Sequence, residues 1–168
     1  MTWALRTTKE AIAECKVLVT QLELPIPITM EALKLAQSLG VTTILNPSPV
    51  SGEEPLPSEF YRLADIFCVN KTEAETLSQE KVTDRASAER AALKIIEKGV
   101  RRVLVTLGSQ GCLLLSSDEE SFYVEGELVD HVVDTSGAGD SFLGAFAYYF
   151  SLGEPPTHPF RSSDQPPW

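Results

Sequence analysis

Histidine and cysteine are scarce in this chain, and so are the chemistries that depend on them. The two histidines, His131 and His158, stand apart from each other and from any cysteine pair, which leaves no metal-ligand or acid–base pattern built on imidazole. Cys15, Cys68 and Cys112 are an odd set of three, widely spaced, with no Cys-x-x-Cys among them. Zinc and redox readings therefore have no support, and reduced core thiols of a cytosolic protein are the expectation. Positive charge is short too: 14 Lys and Arg stand against 24 Asp and Glu, a formal net charge of −10. A nucleic-acid surface needs clustered cations, and the Arg101–Arg102 pair forms no stripe. A substrate rich in phosphate would have to be held by backbone amides and a metal ion instead. No apolar run approaches the ~20 residues of a membrane span, and the N-terminus lacks the basic-then-apolar pattern of a signal peptide. The expected setting is the cytoplasm, with no membrane or nucleic-acid partner.

What is present is an alternation of helical and strand patterns on a scale that suits one domain. Thr7-Thr8-Lys9-Glu10 reads as a capping box opening a short helix to residue 14. An apolar strand over 17–19 ends at Gln21-Leu22-Glu23, and Pro25 and Pro27 exclude helix until Thr29, which is expected to cap a helix over 30–38. Gly40 stops that helix, and a β-branched strand over 41–45 runs into Asn46-Pro47-Ser48-Pro49. A polar, proline-rich surface loop follows over 50–57. A strand over 66–69 leads directly into Asn70-Lys71-Thr72-Glu73 and a helix to Leu77. Asp84 opens a longer helix with Ala88, Ala91, Ala92, Ile95 and Ile96 as its apolar stripe. Strands are expected over 103–105, 112–115, 122–124 and 132–133, and a last helix begins in Ser136-Gly137-Ala138-Gly139-Asp140. Residues 1–150 form the folded unit. Residues 151–168 form a tail whose last 15 residues hold five prolines and little to bury, so it is expected to be disordered.

Strands alternating with helices imply an α/β fold, a three-layer αβα arrangement around a mostly parallel sheet. In such sheets ligands bind outside the carboxyl ends of the strands. Glu23, Asn46, Asn70, Thr106 and Asp140 all fall just past strand ends, and that convergence locates a site.

The most informative stretch is VDTSGAGDSF over 133–142. Glycines at a helix start let the amides of residues 137–140 face outward as an anion pocket, reinforced by the helix dipole. Asp140 would then lie beside a bound phosphoryl group, placed to take a proton from an attacking hydroxyl. The alternative is a glycine-rich turn in which Asp140 only favours the helix N-terminus. A dinucleotide fingerprint is weaker, because Phe142 stands where its third glycine should be. Taken alone, Asn70 and Glu73 read first as a helix cap, and Thr106-Leu107-Gly108 as an ordinary strand-ending turn.

The Asp-Thr-x-Gly-Ala-Gly-Asp stretch resembles the signature of the ribokinase family of sugar and adenosine kinases. In the family order it is joined by Gln21-Leu22-Glu23, Asn46-Pro47-Ser48-Pro49, Asn70-x-x-Glu73 and Thr106-Leu107-Gly108. The resemblance covers roughly residues 9–150 and implies the ribokinase-like fold and an ATP-dependent kinase, with D-ribose the expected substrate and another sugar or a nucleoside the alternative. It implies that Asp140 is the catalytic base, that Gly137, Ala138 and Gly139 form the anion hole, and that Asn70 contacts the nucleotide phosphates. Glu73 would organise magnesium through water, and Thr106, Leu107, Gly108, Ser109, Gln110 and Gly111 would wrap the nucleotide. Glu23 would bond the sugar, and Asp134 with the Ser136 carbonyl would form part of a monovalent-cation site for potassium. Family members also carry, before the region matched here, a sugar-binding segment and a small β-sheet lid, and after it segments that close the adenine pocket. The expectation is a chain truncated at both ends, lacking the N-terminal sugar-binding and lid region. A silent nucleotide-binding fragment, homodimeric or paired with a full-length relative through exposed strand edges, is the competing expectation.

Overall fold

Polar residues close each of the first four strands, and the register of the sheet brings them to one end. The computed structural model describes residues 3–50, 52, 54–118, 120–127 and 131–153. In chain order its elements are α1 (Trp3–Ala13), β1 (Val17–Gln21), α2 (Ile26–Ser38), β2 (Thr42–Asn46), α3 (Ser58–Leu63) and β3 (Ile66–Asn70). These are followed by α4 (Lys71–Ser78), α5 (Arg85–Ile96), β4 (Arg102–Thr106), a 3-10 turn (Gly108–Gln110), β5 (Cys112–Ser116), β6 (Phe122–Val124) and α6 (Ala138–Ser151).

The six strands form one sheet in the order β1-β2-β3-β4-β5-β6. β1 to β4 run parallel, and β5 and β6 are added antiparallel. Gln21 lies opposite Asn46, and Asn70 opposite Thr106. Because Leu45 pairs with Phe67, β3 and β4 project two residues beyond β2. This stagger leaves a step at the carboxyl edge, where a ligand can sit between strand ends.

Alternation along the strands divides the core between two faces. Leu45, Phe67, Val69, Val103, Val105 and Leu113 pack with residues of α2 to α5, and Ala88, Ala91 and Ala92 let α5 lie close to the sheet. Tyr61 of α3 stacks on Phe67 with ring centroids 5.1 Å apart. On the opposite face Ile44, Ile66, Cys68, Leu104, Cys112 and Leu114 lie under Leu143 and Phe146 of α6. The result is the three-layer α/β arrangement expected from the sequence.

Several local expectations are corrected. α1 begins at Trp3, ahead of the expected capping box at Thr7. α2 begins at Ile26, with Pro25 as N-cap and Pro27 inside the first turn, where proline's missing N–H has no partner to lose. Thr29 is therefore no cap; it is fully buried and its hydroxyl donates to the Gln21 carbonyl at 3.3 Å. Val132 and Val133 form no strand and are 61% and 85% exposed. β-Branched identity alone cannot make a strand without a neighbour to pair with. Cys68 and Cys112 are buried as expected, but Cys15 is exposed. α3 was not anticipated, since its six residues are too few to show a helical period. The tail expected over 151–168 begins within α6, whose last residue is Ser151, and residues 154–168, including His158, lie outside the described residues. Among the described residues no helix is long and apolar enough to cross a membrane.

Candidate active site

The step at the carboxyl edge holds a cavity of about 220 Å³. Its walls are the strand-end residues Gln21, Asn46, Asn70 and Thr106, the loop residues Glu23 and Ser48, Glu73 of α4, and Gly137, Gly139, Asp140 and Leu143 around the start of α6; Cys68 and Val69 also line it. Eight residues singled out from sequence therefore meet here: Glu23, Asn46, Asn70, Glu73, Thr106, Gly137, Gly139 and Asp140.

Gly137 is the N-cap of α6, with φ 72° and ψ 0°, a left-handed conformation that glycine adopts without steric cost. The first bond of the helix runs from the Ser141 amide to the Gly137 carbonyl at 2.9 Å. The Ala138 amide instead donates to Thr135 at 3.2 Å and closes the turn before the helix. Of the expected anion pocket, the amides of Gly139 and Asp140 remain without an intrahelical acceptor, as in any first turn, and both residues line the cavity. Asp140 is exposed, and its Oδ1 accepts a hydrogen bond from Gln21 Nε2 at 2.9 Å.

Asn70 and Glu73 form a reciprocal cap: Asn70 Oδ1 accepts from the Glu73 amide, and Glu73 Oε2 from the Asn70 amide, each at 2.9 Å. The capping interpretation is thus correct, and it does not exclude the other, because both residues also line the cavity. Glu73 is only 6% exposed, and its Oε2 takes a further bond from Asn46 Nδ2 at 3.2 Å. Its Oε1 meets no donor among the described residues. Burial pushes the Cys68 thiol well above its ordinary range, with the Glu73 charge adding to the effect, so this cavity-lining sulfur is a neutral wall and not a nucleophile.

The cavity presents three carboxylates and no Lys or Arg. A polyphosphate entering it needs a divalent cation, since the amides at the helix start cannot offset that charge alone. Among the described residues no cluster of three or more His, Cys, Asp or Glu could hold a metal by itself. The donor set fits a magnesium ion that keeps most of its waters.

Other expected site residues do not line this cavity. Leu107 through Gly111 form a closed turn, with the Leu107 amide bonded to the Gly111 carbonyl at 2.8 Å. Ser109 and Gln110 face a separate open cleft of about 540 Å³, bordered by Arg85 and Tyr123. Asp134 and Ser136 precede α6, where Asp134 Oδ1 accepts from both the Ser136 amide and hydroxyl at 2.9 Å. Those two bonds hold the exposed Asp134 carboxyl below the usual carboxylate range. Gly126 was missed entirely: a Cβ there would lie 2.3 Å from the Ser109 carbonyl oxygen, so its backbone packs directly on the turn. Gln21 was missed as a site residue, although its place as the last residue of β1 was a usable signal.

The pfkB family carbohydrate kinase model matches residues 4–162. The chain belongs to the pfkB carbohydrate kinase family. Among its relatives in that family, mouse (Mus musculus) ribokinase is 40% identical over 148 residues, which make up 88% of this chain and 45% of the relative. Ribokinase of Staphylococcus aureus is 42% identical over 138 residues, 82% of this chain and 44% of the relative. The chain thus spans less than half the length of these curated relatives. The solved structure of Arabidopsis thaliana ribokinase complexed with ribose and ATP aligns with a TM-score of 0.85 at 29% identity, covering 92% of this chain and 49% of that one.

Proposed function

We propose that this chain provides the phosphoryl-transfer site of an ATP-dependent carbohydrate kinase, with the terminal hydroxyl of D-ribose as acceptor and ribose 5-phosphate as product. The observation that carries the reading is Asp140 in the first turn of α6, lining one cavity with Gly139, Glu23, Asn70 and Glu73. Asp140 accepts the proton of the sugar hydroxyl while that oxygen attacks the γ-phosphorus of ATP. The new O–P bond forms as the bond to the β,γ-bridging oxygen breaks, and its electron pair leaves with ADP. Gly137, Ala138 and Gly139 shape the helix start that receives the charge on the transferring group. Asn70 contacts the nucleotide phosphates through its Nδ2, since its Oδ1 is engaged in the cap. The turn over 106–111 wraps the nucleotide, and Glu23 bonds the sugar.

When bound, magnesium neutralises charge on the phosphates; Glu73 would hold it through water, and Asp134 with the Ser136 carbonyl would hold potassium. The similarity to an Arabidopsis ribokinase solved with ribose and ATP supports both substrates. A cytoplasmic setting accords with Cys68 and Cys112 as buried, unpaired thiols.

The test is phosphorus NMR of ATP, magnesium and potassium incubated with the chain and, in turn, ribose, 2-deoxyribose, fructose and adenosine. A sugar 5-phosphate signal with ribose alone is expected. A product with one of the other acceptors moves the substrate assignment, and ATP binding without any product makes the chain a nucleotide-binding module.

A further inference from the structure

The Asp140 carboxylate is exposed on a first helical turn, where nothing in α6 itself fixes its rotation. What it meets is the end of β1. Gln21 Nε2 donates to Asp140 Oδ1 at 2.9 Å and to Asn46 Oδ1 at 3.3 Å. A primary amide has two N–H protons, and both are committed. Asn46 sits opposite Gln21 in the β1–β2 register, and its own Nδ2 donates to the Cys68 carbonyl at 2.9 Å and to Glu73 Oε2 at 3.2 Å. Its two protons are committed as well.

The two amides have only one consistent orientation. Turning Gln21 over would set its carbonyl oxygen against the oxygens of Asp140 and Asn46. Turning Asn46 over would set its oxygen against the Cys68 carbonyl and the Glu73 carboxylate, with its NH2 against that of Gln21. Each flip trades hydrogen bonds for oxygen–oxygen or nitrogen–nitrogen contacts in a half-buried setting, where unsatisfied polar groups are costly. Glu73 is itself fixed by the cap with Asn70. A continuous chain of oriented bonds therefore runs from the α4 cap through Asn46 and Gln21 to Asp140.

From this arrangement we propose that Gln21, held by Asn46, is a positioning residue that occupies Oδ1 of Asp140 and thereby selects Oδ2 as the oxygen that accepts the substrate proton. The inference rests on the kinase reading, in which Asp140 is the base. A general base contributes fully only when its accepting lone pair is aimed at the proton, and a carboxylate free to rotate spends much of its time misaligned. Gln21 bonds the Asp140 oxygen that does not take the proton. Its effect falls on the chemical step and leaves nucleotide affinity alone.

The test compares Gln21→Leu and Gln21→Glu with the wild-type chain, measuring kcat, the KM for ATP and the thermal midpoint. Leu removes the donor at similar size; Glu replaces it with an acceptor beside the base, which repels Asp140 out of place. The expected result is a kcat lower by about 10-fold for Leu and lower still for Glu, with the KM for ATP unchanged in both and the Leu variant, though slightly less stable for want of the donor to Asn46, fully folded at the assay temperature. Wild-type turnover with an unaltered kcat in Gln21→Leu overturns the inference and leaves the kinase reading intact. A Leu variant whose kcat falls only in step with its thermal midpoint also overturns it, since that marks a merely structural contact. No turnover by a folded wild-type chain on any acceptor overturns the kinase reading and this inference together.

Discussion

Asn46 and Glu73 meet across 3.2 Å, joining the last residue of β2 to the first turn of α4. Through this bond the strand-end row and the helix cap become one structure. It also makes Asn46 sensitive to charge. Asn46→Asp removes the donors to Glu73 and to the Cys68 carbonyl and sets a second carboxylate against a buried one. The expected loss is about 2–4 kcal/mol of stability, read as a lower urea midpoint at unchanged slope. A midpoint equal to wild type would show that the bond carries no weight.

The turn over 107–111 is wedged against the strand exit by two glycines. A Cβ on Gly111 would lie 1.9 Å from the Val124 carbonyl oxygen, and one on Gly126 would lie 2.3 Å from that of Ser109. All these neighbours are backbone, so neither contact can be relieved by turning a side chain. Gly126→Ala is expected to cost about 1–3 kcal/mol and to weaken ATP binding by shifting the turn. Gly144 in α6 is the control: a Cβ there meets nothing within 4 Å, and Gly144→Ala is expected to stabilise by about 0.5–1 kcal/mol. Chemical denaturation and ATP titration of both variants check the pair.

The fold class and the centre of the candidate site were legible in the sequence for the same reason. The register of a parallel sheet repeats, so polar residues at successive strand ends must converge. Asn70, Glu73 and Asp140 were legible because each sits at a helix start with a recognisable cap or glycine pattern. Gln21 and Asn46 were not legible as partners, since a hydrogen bond between strand ends depends on the β1–β2 register and on α6 returning over the sheet. Gly126 was invisible because its constraint is the approach of a distant backbone, and no periodicity records that. Val132 and Val133 misled for the converse reason, having strand chemistry without a strand to pair with.

Asp84 caps α5 and accepts from the Ser87 amide at 2.8 Å and from its hydroxyl at 2.8 Å. The backbone bond, and then the hydroxyl bond, hold the Asp84 carboxyl below its ordinary range. A carboxyl depressed in the folded state contributes stability that is present above its unfolded value and is lost as pH falls through the folded one. Asp84→Asn keeps a capping acceptor but no titrating group. The variant is expected to show a shallower acid limb in thermal melts between about pH 2 and 5 and no comparable change in slope at neutral pH. An acid limb identical to wild type would remove Asp84 from the account.

The central claim is that Asp140 accepts the proton in phosphoryl transfer to ribose. It is tested most directly by ribose-dependent ADP formation by the purified chain with magnesium and potassium, beside Asp140→Asn. The account predicts turnover in the wild type and a loss of about 100-fold or more in the variant, with ATP still bound. Equal rates in the two proteins, or none in a folded wild type, would contradict it.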